Sequence, residues 1–582
     1  MKAEGALIDL RFRWPLAVLA AVGFLLIFTN LGSDYLWEDE GDTAVLASNI
    51  LKFGVPKAWD GGAFLDIDHG ARLNSSLVMV LHPWVPYYLT AGSFLVFGQN
   101  TFAARLPFAL AGWFSVLVSY LLVWRITASR VSAFCAAALL MLSVQFLLYA
   151  RECRYCALNM LLICGLLWSF FRMKSGGGCA LFVLIAVLFF HTHPYGVAPV
   201  AALGGLSLVY KPFLAQRRWM GLAAPAIAVL TVPWLALSPN GVRANTAPLQ
   251  SVGEFFERFT QAVIECTSVT PFIGTIVLFL IYLIWARLRR TRRSPVAEQV
   301  DRVSEGLTTS EAALVLSVFV IVLFYIVAMA ITQSSDMLWR FGMRYASAVL
   351  PLVAMASGIL IAKISRGSVT IWLTLLLLFS LTKIGQLTPW MFWNRNQNGE
   401  IRAGEYSVAA HVPLRVSEYF FGTGLSKFVR DLWRKNPGTV TAVCKFLREN
   451  AKPGDVLIVN YGMEPIYFHT RLPQALGILP GYPVYQSARR LGLPEYVFGV
   501  DHVRWVVWRS AWEGFPGYTI DQVLRQIVQL GGRRTNVLEM EETVWENRED
   551  IHFHRFSDGT YLFPIDQTFP PSHIVRVDWP NE

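Results

Sequence analysis

Charge is scarce in this chain. Of its 582 residues, 15% are charged and 54% are hydrophobic, whereas a soluble domain carries about 25% charged residues. That excludes an ordinary soluble protein. Alternating strands of about 10 residues are missing too, which excludes a membrane β-barrel. No internal repeat is evident, so the usual sequence sign of a transporter built from inverted halves is absent. Cysteine is sparse and odd in number, seven in all, and implies no disulfide framework. Cys135, Cys164 and Cys179 lie inside apolar runs, where they act as small hydrophobes. Cys153 and Cys156 form a C-x-x-C without the second pair that a zinc or redox centre needs. A cleavable A-x-A signal is also lacking, so the first apolar run is expected to stay as an anchor.

What the sequence has instead is apolar runs. A bilayer crossing needs roughly 18 or more such residues. Spans are expected at residues 14–31, 104–124, 131–149, 155–172, 179–193, 195–210, 219–238, 267–286, 311–332, 345–363 and 368–387. Residues 179–210 hold no Asp, Glu, Lys or Arg and are too long for one crossing, so the break is placed at "HTHPYG". With a cytoplasmic N-terminus, the inner loops become "WRITASR", "FRMKSGGG", "KPFLAQRRW", "ARLRRTRRS" and "AKISRGS", and every one is basic. About eleven crossings then leave the C-terminus outside. The net charge of +10 is explained by those loops, and nucleic acid is not an expected partner. The expected location is the inner (plasma) membrane, crossed many times.

The expected fold is an all-α polytopic membrane domain, residues 1–388, with a large first outer loop at 32–103. A linker with amphipathic pieces follows at 389–434, and an extracytoplasmic α/β domain at 435–582. In that last segment "VLIVNYG" and "VRWVVWRS" read as strands, and "TAVCKFLREN" and "TIDQVLRQIVQLGG" as helices. Within the first loop, residues 41–53 place Leu46, Ile50 and Phe53 on one stripe, which predicts an interfacial amphipathic helix. Residues 82–98 predict a half-buried helix along the outer surface.

The unusual chemistry collects on that outer side. Glu38, Asp39, Glu40 and Asp42 crowd together just after the first span. One reading is helix capping, with Asp39 as N-cap and Asp42 as its partner. Another is a general base that takes the proton of an acceptor hydroxyl, with Glu40 beside it. Both acids can serve one site only if the chain turns sharply, which Gly41 would allow. Arg340 and Arg344 lie four apart before a span. Positive charge is disfavoured in short outer loops, so they need a partner, and Arg suits phosphate. Arg105, Arg151 and Arg154 join the same basic zone. His191 and His193 sit at an outer helix end, open to a structural, a metal-binding or a substrate-contact role. Tyr155 and Tyr345 flank the arginines as further substrate-contact candidates. Carboxylates for an acceptor, arginines for a phosphate and a surrounding membrane together suit a sugar carried on a lipid phosphate.

These residues resemble a family. "DE" at 39–40, "HPWVPYYLTAGSFLVFGQNTFAARLPFAL" at 82–110, "YARECRYCAL" at 149–158, "HTHPYG" at 191–196 and "RFGMRYASAVLP" at 340–351 are similar in order and outer location to motifs of the GT-C glycosyltransferases. The resemblance lies within the protein O-mannosyltransferase and lipid A aminoarabinose transferase group. It covers about residues 10–390. It implies a polyprenyl-phosphate sugar donor, a glycan, lipid or protein acceptor, inverting transfer, Asp39 as base, and Arg105 and Arg344 as donor-phosphate contacts. Some members hold a divalent metal and others need none, so no metal ligand is assigned. The cysteines of "RECRYC" depart from the pattern. The alternatives are a transporter or flippase, and a polymerase or ligase of lipid-linked glycans.

Overall fold

A computed structural model describes residues 10–65, 73–237, 247–268, 270–292, 307–335, 338, 344–386, 400–403, 406–409, 425–433, 438–476, 490, 492–510, 520–540 and 571–580. Each expected apolar run is helical: α1 (Leu10–Phe28), α4 (Thr101–Thr127), α5 (Arg130–Met141) with α6 (Val144–Ala150), α7 (Cys156–Phe171), α8 (Gly176–Phe190), α9 (Val197–Val209), α10 (Arg217–Leu237), α12 (Phe272–Arg292), α13 (Thr309–Thr332), α14 (Val349–Ser365) and α15 (Val369–Leu381). Between them lie α2 (Glu38–Phe53), α3 (Val85–Phe97) and α11 (Val252–Ser268). Among the described residues, three helices are long and apolar enough to cross a membrane alone, or five if each of two bent pairs is one span. The α5–α6 pair is bent by 68°. The bend falls where Ser143 restarts a helix, its side chain accepting from Phe146 N. Seven shorter apolar helices complete the set. Large apolar side chains are exposed along α8, α10, α12 and α15, among them Leu184, Val229, Ile284 and Leu377.

Small residues bring the central helices together. A Cβ on Gly358 of α14 would lie 2.4 Å from Ala136 N of α5, and one on Gly112 of α4 would lie 2.5 Å from Ala150 Cβ of α6. Close backbone approach of this kind supplies dispersion contact where a hydrophobic drive between helices is weak.

After residue 400 the described elements include a short hairpin, Glu400–Ala403 with Tyr406–Ala409. A four-stranded sheet follows, built from β1 (Val456–Val459), β2 (Val503–Trp508), β3 (Arg533–Met540) and β4 (Ser572–Asp578). Its order is β1-β2-β4-β3, with β1 and β2 parallel and the other pairs antiparallel. Strands β1 and β2 match the expected "VLIV" and "VRWVVW". Apolar clusters lie on both faces, one around Val443, Leu447 and Trp505, the other around Val506, Val523 and Ile527. Most of the expected linker at 389–434 lies outside the described residues.

The helix at 41–53 departs from expectation. It begins at Glu38 and is buried continuously from Glu40 to Ile50, so it is no interfacial helix. Its second face is covered by α16 (Met463–Thr470) of the C-terminal region. Gly41 explains the fit: a Cβ there would sit 2.4 Å from Pro465 N. Gly41 therefore makes a close packing contact inside a regular helix and does not turn the chain. Around this contact Tyr35 stacks on His469 at 4.0 Å. Tyr467 Oη donates to Asp60 Oδ1 at 2.7 Å, and Asn30 Nδ2 donates to Leu432 O at 2.7 Å. Leu36 N donates to His469 Nε2 at 3.3 Å. That needs a neutral imidazole, and burial with Arg448 nearby pushes His469 down to about 3.

Candidate active site

The first turn of α2 sets the site. Trp37, in extended conformation, precedes the helix, and Glu38, Asp39 and Glu40 occupy its first turn, where negative charge is favoured by the helix dipole. Asp39 is thus inside the helix and is not its N-cap. Successive helical residues point about 100° apart, and the two central acids diverge accordingly.

Glu40 turns inward. Arg105, near the start of α4, grips it with Nε to Oε1 at 2.8 Å and Nη2 to Oε2 at 2.6 Å. The remaining N–H groups of Arg105 reach the carbonyls of Leu31, Asp34 and Tyr35 at 3.1, 3.0 and 3.1 Å. All five guanidinium donors are accounted for. Glu40 also accepts from Cys153 N at 2.7 Å. The pair ties α2, α4, the 31–35 turn and the 151–155 loop together, and only 1% of the Glu40 side chain is exposed.

Asp39 turns the other way. Its Oδ2 is held by Arg344 Nη2, and by Arg154 Nη2 at 3.1 Å. Arg154 Nη1 also reaches Asp39 O at 3.2 Å, Thr43 Oγ1 at 3.3 Å and Asp42 Oδ2 at 3.5 Å. Asp39 keeps 26% of its side chain exposed, against 7% for Arg154 and 4% for Arg344. Of the two acids weighed in the sequence, it is Asp39 that a ligand can reach. The guanidinium groups are backed by rings, Arg344 by Trp37 at 5.5 Å and Arg154 by Tyr155 at 5.7 Å.

The other candidates divide. Arg151 turns away to α1, where Nη1 donates to Ile27 O at 2.7 Å and Thr29 O at 2.9 Å, closing that helix's free carbonyls. His193 joins Tyr155 at 4.3 Å, Tyr195 at 5.3 Å and Tyr345 at 5.6 Å in an aromatic group beside Arg344. It lies on the turn between α8 and α9. His191 is elsewhere, on Leu230 O at 3.1 Å and against Trp234. Arg340 lies outside the described residues.

Two residues were missed in the sequence. Glu152 sits between Arg151 and Arg154, in a loop read only as basic; it is 2% exposed. Glu464, on α16, faces α2 and hydrogen-bonds Glu38. Only the fold brings it there, so no local pattern could have named it. As for a metal, no group of three or more His, Cys, Asp or Glu among the described residues is arranged to hold one. Asp39 and Glu40 are each already paired with arginine. Among the described residues, these side chains do not fit a metal centre.

No known protein-family profile matches the chain. Over 248 residues it is 27% identical to an undecaprenyl phosphate-alpha-4-amino-4-deoxy-L-arabinose arabinosyl transferase of Pseudomonas fluorescens, covering 39% of this chain and 41% of that protein. Over 130 residues it is 33% identical to an uncharacterized Aquifex aeolicus protein, covering 22% of this chain and 23% of that one. The matches therefore span well under half of these relatives. In three dimensions the chain aligns with ArnT from Cupriavidus metallidurans over 97% of its own length and 98% of that chain, with TM-score 0.54 and 14% identity. This chain has the fold of that ArnT. The same ArnT bound to undecaprenyl phosphate aligns over the same shares, with TM-score 0.51 and 15% identity. Within that fold, Asp39, Arg154 and Arg344 meet at the start of α2.

Proposed function

We propose that the chain is a membrane glycosyltransferase that moves a sugar from a polyprenyl-phosphate donor to an acceptor hydroxyl, with inversion, on the extracytoplasmic face. The basic inner loops support about eleven crossings with the N-terminus in the cytoplasm. In this reading the start of α2 faces outside, and residues 435–582 form an extracytoplasmic domain. The curated relative named for transfer from undecaprenyl phosphate and the ArnT structure holding that lipid phosphate support a donor of this class.

One observation carries the mechanism: the exposed carboxylate of Asp39 is bridged to both Arg344 and Arg154. A carboxylate so held is a weak base. An entering donor phosphate competes for the same two guanidinium groups and releases Asp39. The acceptor oxygen then attacks the anomeric carbon from the face opposite the phosphate. Asp39 takes its proton, and the electron pair of the breaking C–O bond passes to the phosphate, where Arg344 and Arg154 meet the growing charge. Arg105 and Arg151 hold the scaffold in this reading, and Tyr345 and His193 form a wall for the sugar.

The test is binding of undecaprenyl phosphate to the detergent-purified protein. Arg344→Ala and Arg154→Ala should each weaken it by about tenfold or more, as loss of a charge-assisted contact of roughly 1.5–3 kcal/mol implies. Wild-type affinity in both variants would remove the phosphate site from this place.

A further inference from the structure

Among the described residues, Glu152 is a buried acid of the centre that the mechanism above leaves idle. Both its carboxyl oxygens are buried with no hydrogen-bond partner among the described residues. It lies on the loop between α6 and α7, within the field of Arg344, Arg154, Glu40 and Asp39. Its chain neighbours are engaged elsewhere: Arg151 on α1, Cys153 N on Glu40, and Arg154 on Asp39 and Asp42. Arg105 is used up by Glu40 and three carbonyls. A carboxyl buried without a partner costs several kcal/mol as an anion and much less as the neutral acid. Burial, opposed by Arg344 and reinforced by the negative Glu40, pushes Glu152 up to about 8. At neutral pH it carries a proton, on an O–H with no acceptor among the described residues.

We propose that Glu152 is a catalytic acid, which donates its proton to the phosphate oxygen from which the sugar departs. The inference rests on the transfer reading above. The donor phosphate is a monoanion, and the leaving polyprenyl phosphate would become a dianion. The C–O electron pair goes to phosphate oxygen, and the Glu152 O–H bond breaks with its pair staying on the carboxylate. The proton then ends on phosphate. Asp39 holds the proton of the acceptor hydroxyl at that moment. Passing it from Asp39 to Glu152 once the product leaves restores the starting state, so atoms and charge balance over a cycle. A neutral acid also gives the phosphate a donor where a carboxylate would repel it.

The experiment measures the affinity of undecaprenyl phosphate for the full-length protein between pH 6 and 9, in wild type, Glu152→Gln and Glu152→Asp. The phosphate's own titration appears equally in all three. Wild-type affinity should fall by up to tenfold per pH unit above about pH 8, as the acid that donates to phosphate is lost. Glu152→Gln should lack that limb, and Glu152→Asp should keep it. The same limb in Glu152→Gln as in wild type overturns the proposal. So does its absence from wild type. Failure of wild type to bind the lipid phosphate at any pH would instead overturn the transfer reading. If Glu152→Gln does not fold, Glu152→Asp against Glu152→Ala decides: a limb that persists in Ala overturns the proposal.

Discussion

Replacing Arg105 by alanine should unfold the scaffold rather than empty a phosphate site. The side chain makes five hydrogen bonds, two to the Glu40 carboxylate and three to carbonyls of the 31–35 turn. Removing it strands a carboxylate that is 1% exposed, with Cys153 N at 2.7 Å and Trp37 N at 3.4 Å as its remaining donors. Breaking a buried ion pair from one side costs about 3–5 kcal/mol. Lysine cannot reproduce the fork and should recover little. Removing both partners, Arg105→Ala with Glu40→Ala, should cost less than Arg105→Ala alone, because no uncompensated charge is left behind. Thermal or denaturant unfolding of the detergent-purified protein measures these differences, and undecaprenyl phosphate binding is measured well below the unfolding transition. The expected pattern is a large stability loss with phosphate affinity within about twofold of wild type in the surviving fold. An Arg105→Ala protein as stable as wild type but unable to bind phosphate would refute the reasoning.

Gly41→Ala should push α16 off α2, since its Cβ would meet Pro465 N at 2.4 Å. Overpacking of this kind costs about 1–3 kcal/mol or more, and faster release of a C-terminal fragment by limited proteolysis checks it. Glu464 gives a pH prediction. Burial pushes it up to about 7 from an ordinary 4.5, so the folded state holds a proton that the unfolded chain releases. Stability should fall as pH rises from about 4.5 to 7, and Glu464→Gln should flatten that slope in unfolding measurements. Arg151→Ala should destabilise by roughly 1–3 kcal/mol through the α1 carbonyls it abandons, with unchanged phosphate affinity. A phosphate-binding defect in Arg151→Ala would return that residue to the site.

How much of this was legible in the sequence follows from the range of each interaction. Helices at the expected apolar runs come from local composition, and all of them are present. The grouping of Asp39, Arg154 and Arg344 was approached through loop charge, which puts residues on one side of a membrane without pairing them, and through a resemblance that implied roles for Asp39 and Arg344. The direction of each side chain was not legible. Asp39 and Glu40 are adjacent, yet one meets Arg344 and the other Arg105, because a helix starting at Glu38 rotates them apart. The sequence reading needed a turn at Gly41 to bring both to one site, and the packing of Pro465 shows why glycine stands there instead. Arg105 and Arg151 looked like free cations beside a membrane. Their partners are mostly backbone carbonyls, which carry no sequence signature. Glu152 was hidden by the two arginines that bracket it. Glu464, more than four hundred residues from Asp39, depends on a docking that no local pattern encodes.

The central claim is that Asp39 alternates between holding two arginines and taking a proton. The most direct measurement takes one preparation of Asp39→Asn and records both undecaprenyl phosphate affinity and sugar transfer from a polyprenyl-phosphate donor. The account predicts affinity equal to or tighter than wild type, because the competing carboxylate is gone from Arg344 and Arg154, with transfer reduced by at least about 10²-fold. Wild-type transfer by Asp39→Asn would contradict it.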